Sequence, residues 1–424
     1  FRACRWVVGF VAIVRQFAVS EPAARRSGSA FGCLRHATDE LLLRTKTFVV
    51  LLSVIDGLTE RLLMNSTESI NTTLCDVDIM PNLRLLLVRF FGASLALLGS
   101  VCNSLLLYVF VRYPREASSL YLKALALLDL LMCLTYFWMF ALPKFAVTFR
   151  IAFLYCIVWE TNIYVYTLGR MTQLAIPYVI IASTAERLAW ITGKASMSSR
   201  GYGRLFVVVL LLLSIVSLRM PTLWAMQLTT NGDCDLFESK FLSPTEFTSD
   251  ERFKTFDIVV NFLHIIASFL ILIVLNAIIV DKLREYHRAA RRQSALISPH
   301  LLYEDRSIVS AREEERRERQ RLRIAIKTTV VIISTYLACN SLHFCLFIIE
   351  QFDPTWLLDE TGDNFNWIYV MLGDFVSILF VVSSTIRLFI YYKYNAEIRG
   401  QIESIGCLRS RKKFGKKNMM TVEE

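Results

Sequence analysis

No glycine-rich phosphate loop precedes a helix in these 424 residues, which excludes nucleotide binding by that device. Histidine is scarce: His36, His264, His287, His300 and His343 are the five, and none stand at metal-ligand spacing. Nothing joins a histidine to a serine, cysteine or aspartate in a nucleophilic arrangement. An enzyme is therefore not expected, and no cofactor or metal is implied. Internal repeats, which many transporters carry, are absent as well. A cleavable leader is not expected from these residues. The early apolar run Phe48–Ile55 is too short to span a bilayer, breaks at Asp56 and lacks a small-residue cleavage site.

What the chain has in quantity is apolar sequence. Hydrophobic residues make up 54%, and the mean hydropathy is +0.45. A soluble protein of this length would divide into domains with amphipathic patterning. Here the apolar residues gather into seven blocks, about 85–111, 119–142, 163–190, 205–226, 256–280, 328–349 and 367–392. Each is long enough to cross a bilayer as a helix, which takes roughly 20 residues. The expected fold is an all-α membrane protein: a seven-transmembrane helix bundle, with a short amphipathic helix after helix seven, from Lys393 to Ile402.

The net charge of +10 is sorted by loop, so it points to membrane topology and not to nucleic acid. One side holds Arg112, Arg115, Lys194, Arg200, Arg204, the basic 282–327 segment and the Arg409–Lys417 cluster. The other holds Asp233, Asp235, Glu246, Asp250, Glu251, Asp353, Asp359, Glu360 and Asp363. The basic side is expected in the cytosol and the amino terminus outside. Asn65 and Asn71 head two N-glycosylation acceptors, which make sense only outside, so the two signals agree. The expected division is a non-native or disordered extension over 1–63, a glycosylated amino terminus over 64–85, the bundle over 86–392 and a cytoplasmic tail over 393–424. Two readings of 1–63 stand. One is upstream sequence ahead of a start at Met64; the other is a long disordered extracellular tail.

Polar groups inside the apolar blocks are costly, and each needs a partner or a wet cavity. Ile163–Trp190 carries the most: Arg170 and Gln173 in its first half, Tyr178 centrally, Glu186 and Arg187 at its inner end. Glu186 and Arg187 are expected to satisfy each other in part or to snorkel. Asn103 is a lone amide in helix one, expected to bond across to another helix. Asp129 in helix two is an intramembrane carboxylate. Cys102, Cys133, Cys339 and Cys345 are read as reduced packing residues.

In this order and spacing, the motifs resemble the rhodopsin-like (class A) G-protein-coupled receptors over about 86–402. Glu186-Arg187-Leu188 stands where that family has Asp/Glu-Arg-Tyr. Asn103 resembles its helix-one asparagine, and Ser118-Ser119, Tyr121-Leu122 and Ala124-Leu125-Ala126 before Asp129 resemble the start of its second helix. Pro221 and Trp224 fit its helix-four finish, although Arg219 and Thr222 do not. Leu337-Ala338-Cys339-Asn340-Ser341-Leu342 and Ser383-Ser384-Thr385-Ile386-Arg387 through Tyr391 are similar to invertebrate FMRFamide-type neuropeptide receptors, as are Gln173, Tyr178 and Thr184. Leu188 departs from the usual tyrosine, Ser383 and Arg387 from asparagines. Ser268 stands where a proline is usual, and Pro177 is unusual in the third helix.

The resemblance implies a plasma-membrane, multi-pass receptor for an extracellular peptide, with RFamide-like peptides as candidates, that signals to a heterotrimeric G protein. The alternative is a divergent seven-helix receptor that couples poorly, or a chemosensory receptor. It implies activation and coupling roles for Asn103, Asp129, Glu186, Arg187, Arg387 and Tyr391. It implies a bridge between Cys156 and Cys234, with Cys75 left over, and a sodium and water network at Asp129. The expected ligand pocket is Arg170, Gln173, His264, Tyr336, His343, Tyr369 and Asp374; for the two histidines, the reading as packed core residues also stands. Asp233, Asp235, Asp359, Glu360 and Asp363 make an acidic mouth that would steer in a basic peptide. The 281–327 loop is either a solvated linker or a G-protein contact, its ends extending helices five and six around a mobile middle. Cys407, beside the basic cluster, is a palmitoylation candidate or a spare thiol. Asp129 and Arg387 are expected to form a buried ion pair, the alternative being that Arg387 snorkels.

Overall fold

The computed structural model describes residues 90–113, 119–192, 201–232, 236–237, 239–296, 306–352 and 366–405, all within one unit, Asp78–Glu424. The extension 1–63, the glycosylation sites Asn65 and Asn71, Cys75, Cys234, Cys407 and the mouth residues Asp233, Asp235, Asp359, Glu360 and Asp363 lie outside them.

Seven long helices make the bundle. They are α1 (Phe90–Arg112), α2 (Leu120–Thr148), α3 (Ala152–Ile191), α4 (Tyr202–Ala225), α5 (Glu251–Leu296), α6 (Arg306–Phe352) and α7 (Trp367–Tyr394). A two-stranded hairpin, β1 (Met226–Thr230) with β2 (Lys240–Pro244), lies between α4 and α5, antiparallel with Met226 opposite Pro244. α8 follows over 396–405.

Local chemistry sets the helix ends. α1 stops at Tyr113, whose N–H returns to the Val109 carbonyl, because the residue before Pro114 is disfavoured in helical geometry. α2 widens into a π-turn over Phe137–Ala141 just ahead of Pro143. It ends at Arg150, which adopts a positive φ of 50°, while Ile151 N–H reaches back to the Ala146 carbonyl at 2.9 Å. That left-handed residue and backward bond close the helix and launch α3 at Ala152. The Asp250 side chain caps α5 through Arg252 N–H, and Asn366 caps α7 through Ile368 N–H.

α3 is the central helix. It has 40 residues, about 60 Å of rise, and packs against α2, α4, α5 and α6. Six helices are long and apolar enough to cross a membrane among the described residues, and α3 is the one of the seven that is not. Its polar and charged side chains lower its hydropathy, and neighbouring helices give partners to Arg170, Glu186 and Arg187. The outward faces of α1, α4 and α5 carry exposed Leu97, Val101, Leu205, Phe206, Leu213, Ile258 and Ile273, the pattern of helices whose solvent is lipid. α8 is amphipathic: Asn395 caps it through the N–H groups of Glu397 and Ile398. Ile398, Ile402 and Ile405 pack towards Leu106, Val109, Phe110 and Tyr391.

Two features differ from expectation, and a third agrees with it. α3 starts at Ala152, not near 163, because Ala152–Asn162 is itself apolar enough to pack. The acidic 227–254 loop folds into the hairpin, a 3₁₀ turn at Glu246–Ser249 and the start of α5. α5 runs on to Leu296 and α6 begins at Arg306, so both extend well past their apolar blocks, as expected of the ends of the 281–327 loop.

Candidate functional site

The polar side chains of the bundle form three levels on α3 and one on α2 and α7. At the hairpin end, Arg170 Nη2 donates to Asn261 Oδ1 of α5 at 2.9 Å. Arg219 of α4 donates to the same oxygen at 2.8 Å and, from Nη1, to Asp257 Oδ1 at 3.3 Å. Asn261 Nδ2 donates to Asp257 Oδ2 at 2.9 Å. Thus two guanidiniums share one amide oxygen, and Arg219 also meets the Asp257 carboxylate. Above them the hairpin sits on the start of α3. Lys240 N–H donates to the Tyr155 hydroxyl at 3.3 Å, and the Tyr155 ring meets Phe237 with centroids 5.5 Å apart.

At mid-bundle, two helix irregularities answer each other. Pro177 has no N–H, which leaves the Gln173 carbonyl, four residues back, without its helical donor. The His264 ring of α5 hydrogen-bonds the Gln173 backbone. In return the Tyr178 hydroxyl donates to the Leu263 carbonyl at 3.1 Å. Leu263 opens a π-turn, Leu263–Ala267, and the next residue, Ser268, turns its hydroxyl to the His264 carbonyl. A proline at 268 would have left that carbonyl bare; serine fills it, so α5 is irregular without a proline. His264 and His343 of α6 approach with ring centroids 5.8 Å apart, and His343 meets Phe380 of α7 at 5.5 Å.

At the opposite end, Glu186 and Arg187 do not pair with each other. Successive residues point about 100° apart on a helix, and each meets a different neighbour. Glu186 pairs with Arg204 of α4, both nearly buried. Arg187 Nη1 donates to the Ala325 carbonyl of α6 at 2.9 Å. Between α2 and α7, Asp129 and Arg387 form a buried ion pair, the residues 1% and 2% exposed. Asn103 donates to the Ser384 carbonyl of α7 at 3.2 Å and to the Gly99 carbonyl at 2.9 Å. Tyr391 is buried edge-on against Phe110.

The structure brings Arg170, Gln173, His264 and His343 towards one another around α3, α5 and α6. Tyr336 is buried in the core beside them, its carbonyl accepting from Asn340 Nδ2 at 2.8 Å. Tyr369 turns elsewhere and donates to Glu350 Oε1 at 2.6 Å. Asp374 is half-buried on α7, in electrostatic reach of Tyr136. Cys156 is half-buried near the start of α3, and its expected partner, Cys234, lies outside the described residues. Tyr155, beside Cys156, faces the hairpin. Sequence reasoning missed Arg204, Arg219, Asp257 and Asn261. Arg219, alone in an apolar run, was the signal that could have found the cluster.

No family model matches the chain, and no curated protein matches it in sequence. Among solved structures it is similar to squid rhodopsin, with a TM-score of 0.54 and 14% sequence identity, covering 80% of this chain and 88% of that one. At that identity the likeness concerns the fold, and it agrees with six membrane-capable helices arranged around a seventh. The chain is a multi-pass seven-helix membrane protein of the rhodopsin fold.

Proposed function

We propose that the protein is a G-protein-coupled receptor for an extracellular peptide, seated in the plasma membrane with the hairpin end outside. The observation that carries this reading is the bond from Arg187 to the Ala325 carbonyl. It ties the central helix to α6 at the end where α5 and α6 run on beyond their apolar blocks. A contact of that kind gives the bundle two states, made and broken, and a ligand shifts the balance by binding one state better. The opposite end then receives the G protein, with Glu186 and Arg204 fixing α3 to α4 while α6 moves. Arg170, Gln173, His264 and His343 take the ligand; Tyr336 supports them from the core; Tyr369 and Asp374 belong to the far wall. Asn103, Asp129, Arg387 and Tyr391 hold α1, α2 and α7 together. Glycans on Asn65 and Asn71, a lipid on Cys407 and an RFamide-like ligand complete the proposal.

A poorly coupling receptor is the second reading, and the Asp129–Arg387 pair favours it, because an ion pair between α2 and α7 resists rearrangement. The two readings separate in cells expressing the full chain and challenged with a panel of amidated peptides. Signalling predicts a saturable second-messenger response that Arg187→Gln reduces by more than about tenfold at equal surface level, the loss of one charge-assisted bond. Saturable peptide binding without any messenger response would overturn coupling and leave the second reading.

A further inference from the structure

We propose that the Arg170–Arg219–Asn261–Asp257 cluster is an anion subsite that receives a carboxylate of the ligand. The inference rests on the ligand-receptor reading and adds the chemistry of the bound group. Three observations converge. The first is charge. Arg170 and Arg219 share Asn261 Oδ1, and a single carboxylate, Asp257, stands with them. One positive charge is therefore in surplus, in surroundings where an unbalanced charge is costly.

The second is donor geometry. Arg219 is 1% exposed, and its Nε has no partner among the described residues. Guanidinium donors lie in a planar fork that matches a carboxylate, and a surplus of one charge matches a monoanion.

The third is access. Arg170 is half-buried, and the Asp257 side chain is 41% exposed, so the cluster is not sealed. It continues inward to His264, which lies in electrostatic reach of both arginines and of His343. His264 Nδ1 is likewise buried without a partner among the described residues. The wall of α3, α4 and α5 is thus cationic, whereas Glu350 and Asp374 stand on α6 and α7. A basic peptide drawn to an acidic mouth would still place an acidic group, a side chain or a free carboxyl end, against Arg170 and Arg219.

The test uses the full chain in lipid nanodiscs, titrated with N-acetyl-phenylalanine, N-acetyl-phenylalaninamide and hexanoate while thermal unfolding is followed. The acid should stabilise the protein at a concentration about tenfold below the amide, the value of one charge-assisted contact. Arg170→Gln should abolish that preference. This variant is chosen because Arg219→Gln empties a fully buried position and endangers folding. Hexanoate matching the acid assigns the subsite to carboxylates in general, and the acid alone assigns it to peptide ends; both support it. Equal potency of acid and amide overturns the proposal, as does a preference that survives Arg170→Gln. Failure of the receptor reading shows separately: a carboxylate preference with no messenger response to any peptide keeps the subsite and removes signalling. A peptide response without carboxylate preference does the reverse.

Discussion

Asp129→Asn will lower the amount of folded protein at the cell surface more than Arg387→Asn, and the double substitution will recover much of the loss. Both residues are buried and paired across α2 and α7. Removing one member of a buried ion pair costs about 3–5 kcal/mol, because the other charge is left uncompensated. The two singles differ in what remains. After Arg387→Asn the aspartate can take up a proton and become neutral. After Asp129→Asn the arginine keeps its charge, since a guanidinium does not release its proton in proteins. The double substitution leaves two amides, which can bond to each other or to the Ser384 region where Asn103 already donates. Neighbouring groups are non-additive in this way. Surface immunostaining with thermal unfolding in detergent measures the effect, and strictly additive losses would remove the pair as a unit of stability.

Gly99→Val should be nearly as damaging. Gly99 lies on α1 where α2 and α7 come closest. A Cβ added there would stand 2.4 Å from Thr385 Oγ1 and 2.6 Å from Cys133 Sγ. Neither partner can swing away freely: Cys133 is buried, and the Thr385 hydroxyl is held by the Val381 carbonyl. Overpacking of this kind costs about 1–3 kcal/mol or more. The displaced α1 would also lose the bond of Asn103 to the Ser384 carbonyl of α7. Thermal unfolding should show a clear fall for Gly99→Val, and shaving Cys133 and Thr385 to alanine in the same chain should return part of it. A neutral Gly99→Val would mean that α1 stands further from its neighbours than described.

The two cases mark where sequence reading succeeds and where it stops. Asn103, Asp129 and Arg387 are legible because a polar group in an apolar block announces its own cost, and few partners lie at the same depth. The seven blocks are legible from length alone, apart from the start of α3 at Ala152. The charge on Arg187 is equally plain, but its partner is a backbone carbonyl on α6, which no residue type advertises. Glu186 meets Arg204 and not its neighbour because of how α3 is rotated, a property of the packed bundle. The π-turns at Phe137–Ala141 and Leu263–Ala267 depend on which carbonyls find side-chain donors. Gly99 resembles any other helical glycine until α2 and α7 close on it. The anion cluster joins residues from three helices, and only Arg219 among its missed members breaks an apolar run.

α3, whose apolar block carries the most polar groups, crosses the membrane and organises the other six helices. Seven crossings put the chain ends on opposite faces, and six put them on the same face. Epitopes placed at the amino and carboxyl ends of the full chain, read on intact and then permeabilised cells, decide between them. The account predicts an amino-terminal epitope accessible on intact cells and a carboxyl-terminal one accessible only after permeabilisation. Both epitopes on the same face would contradict it.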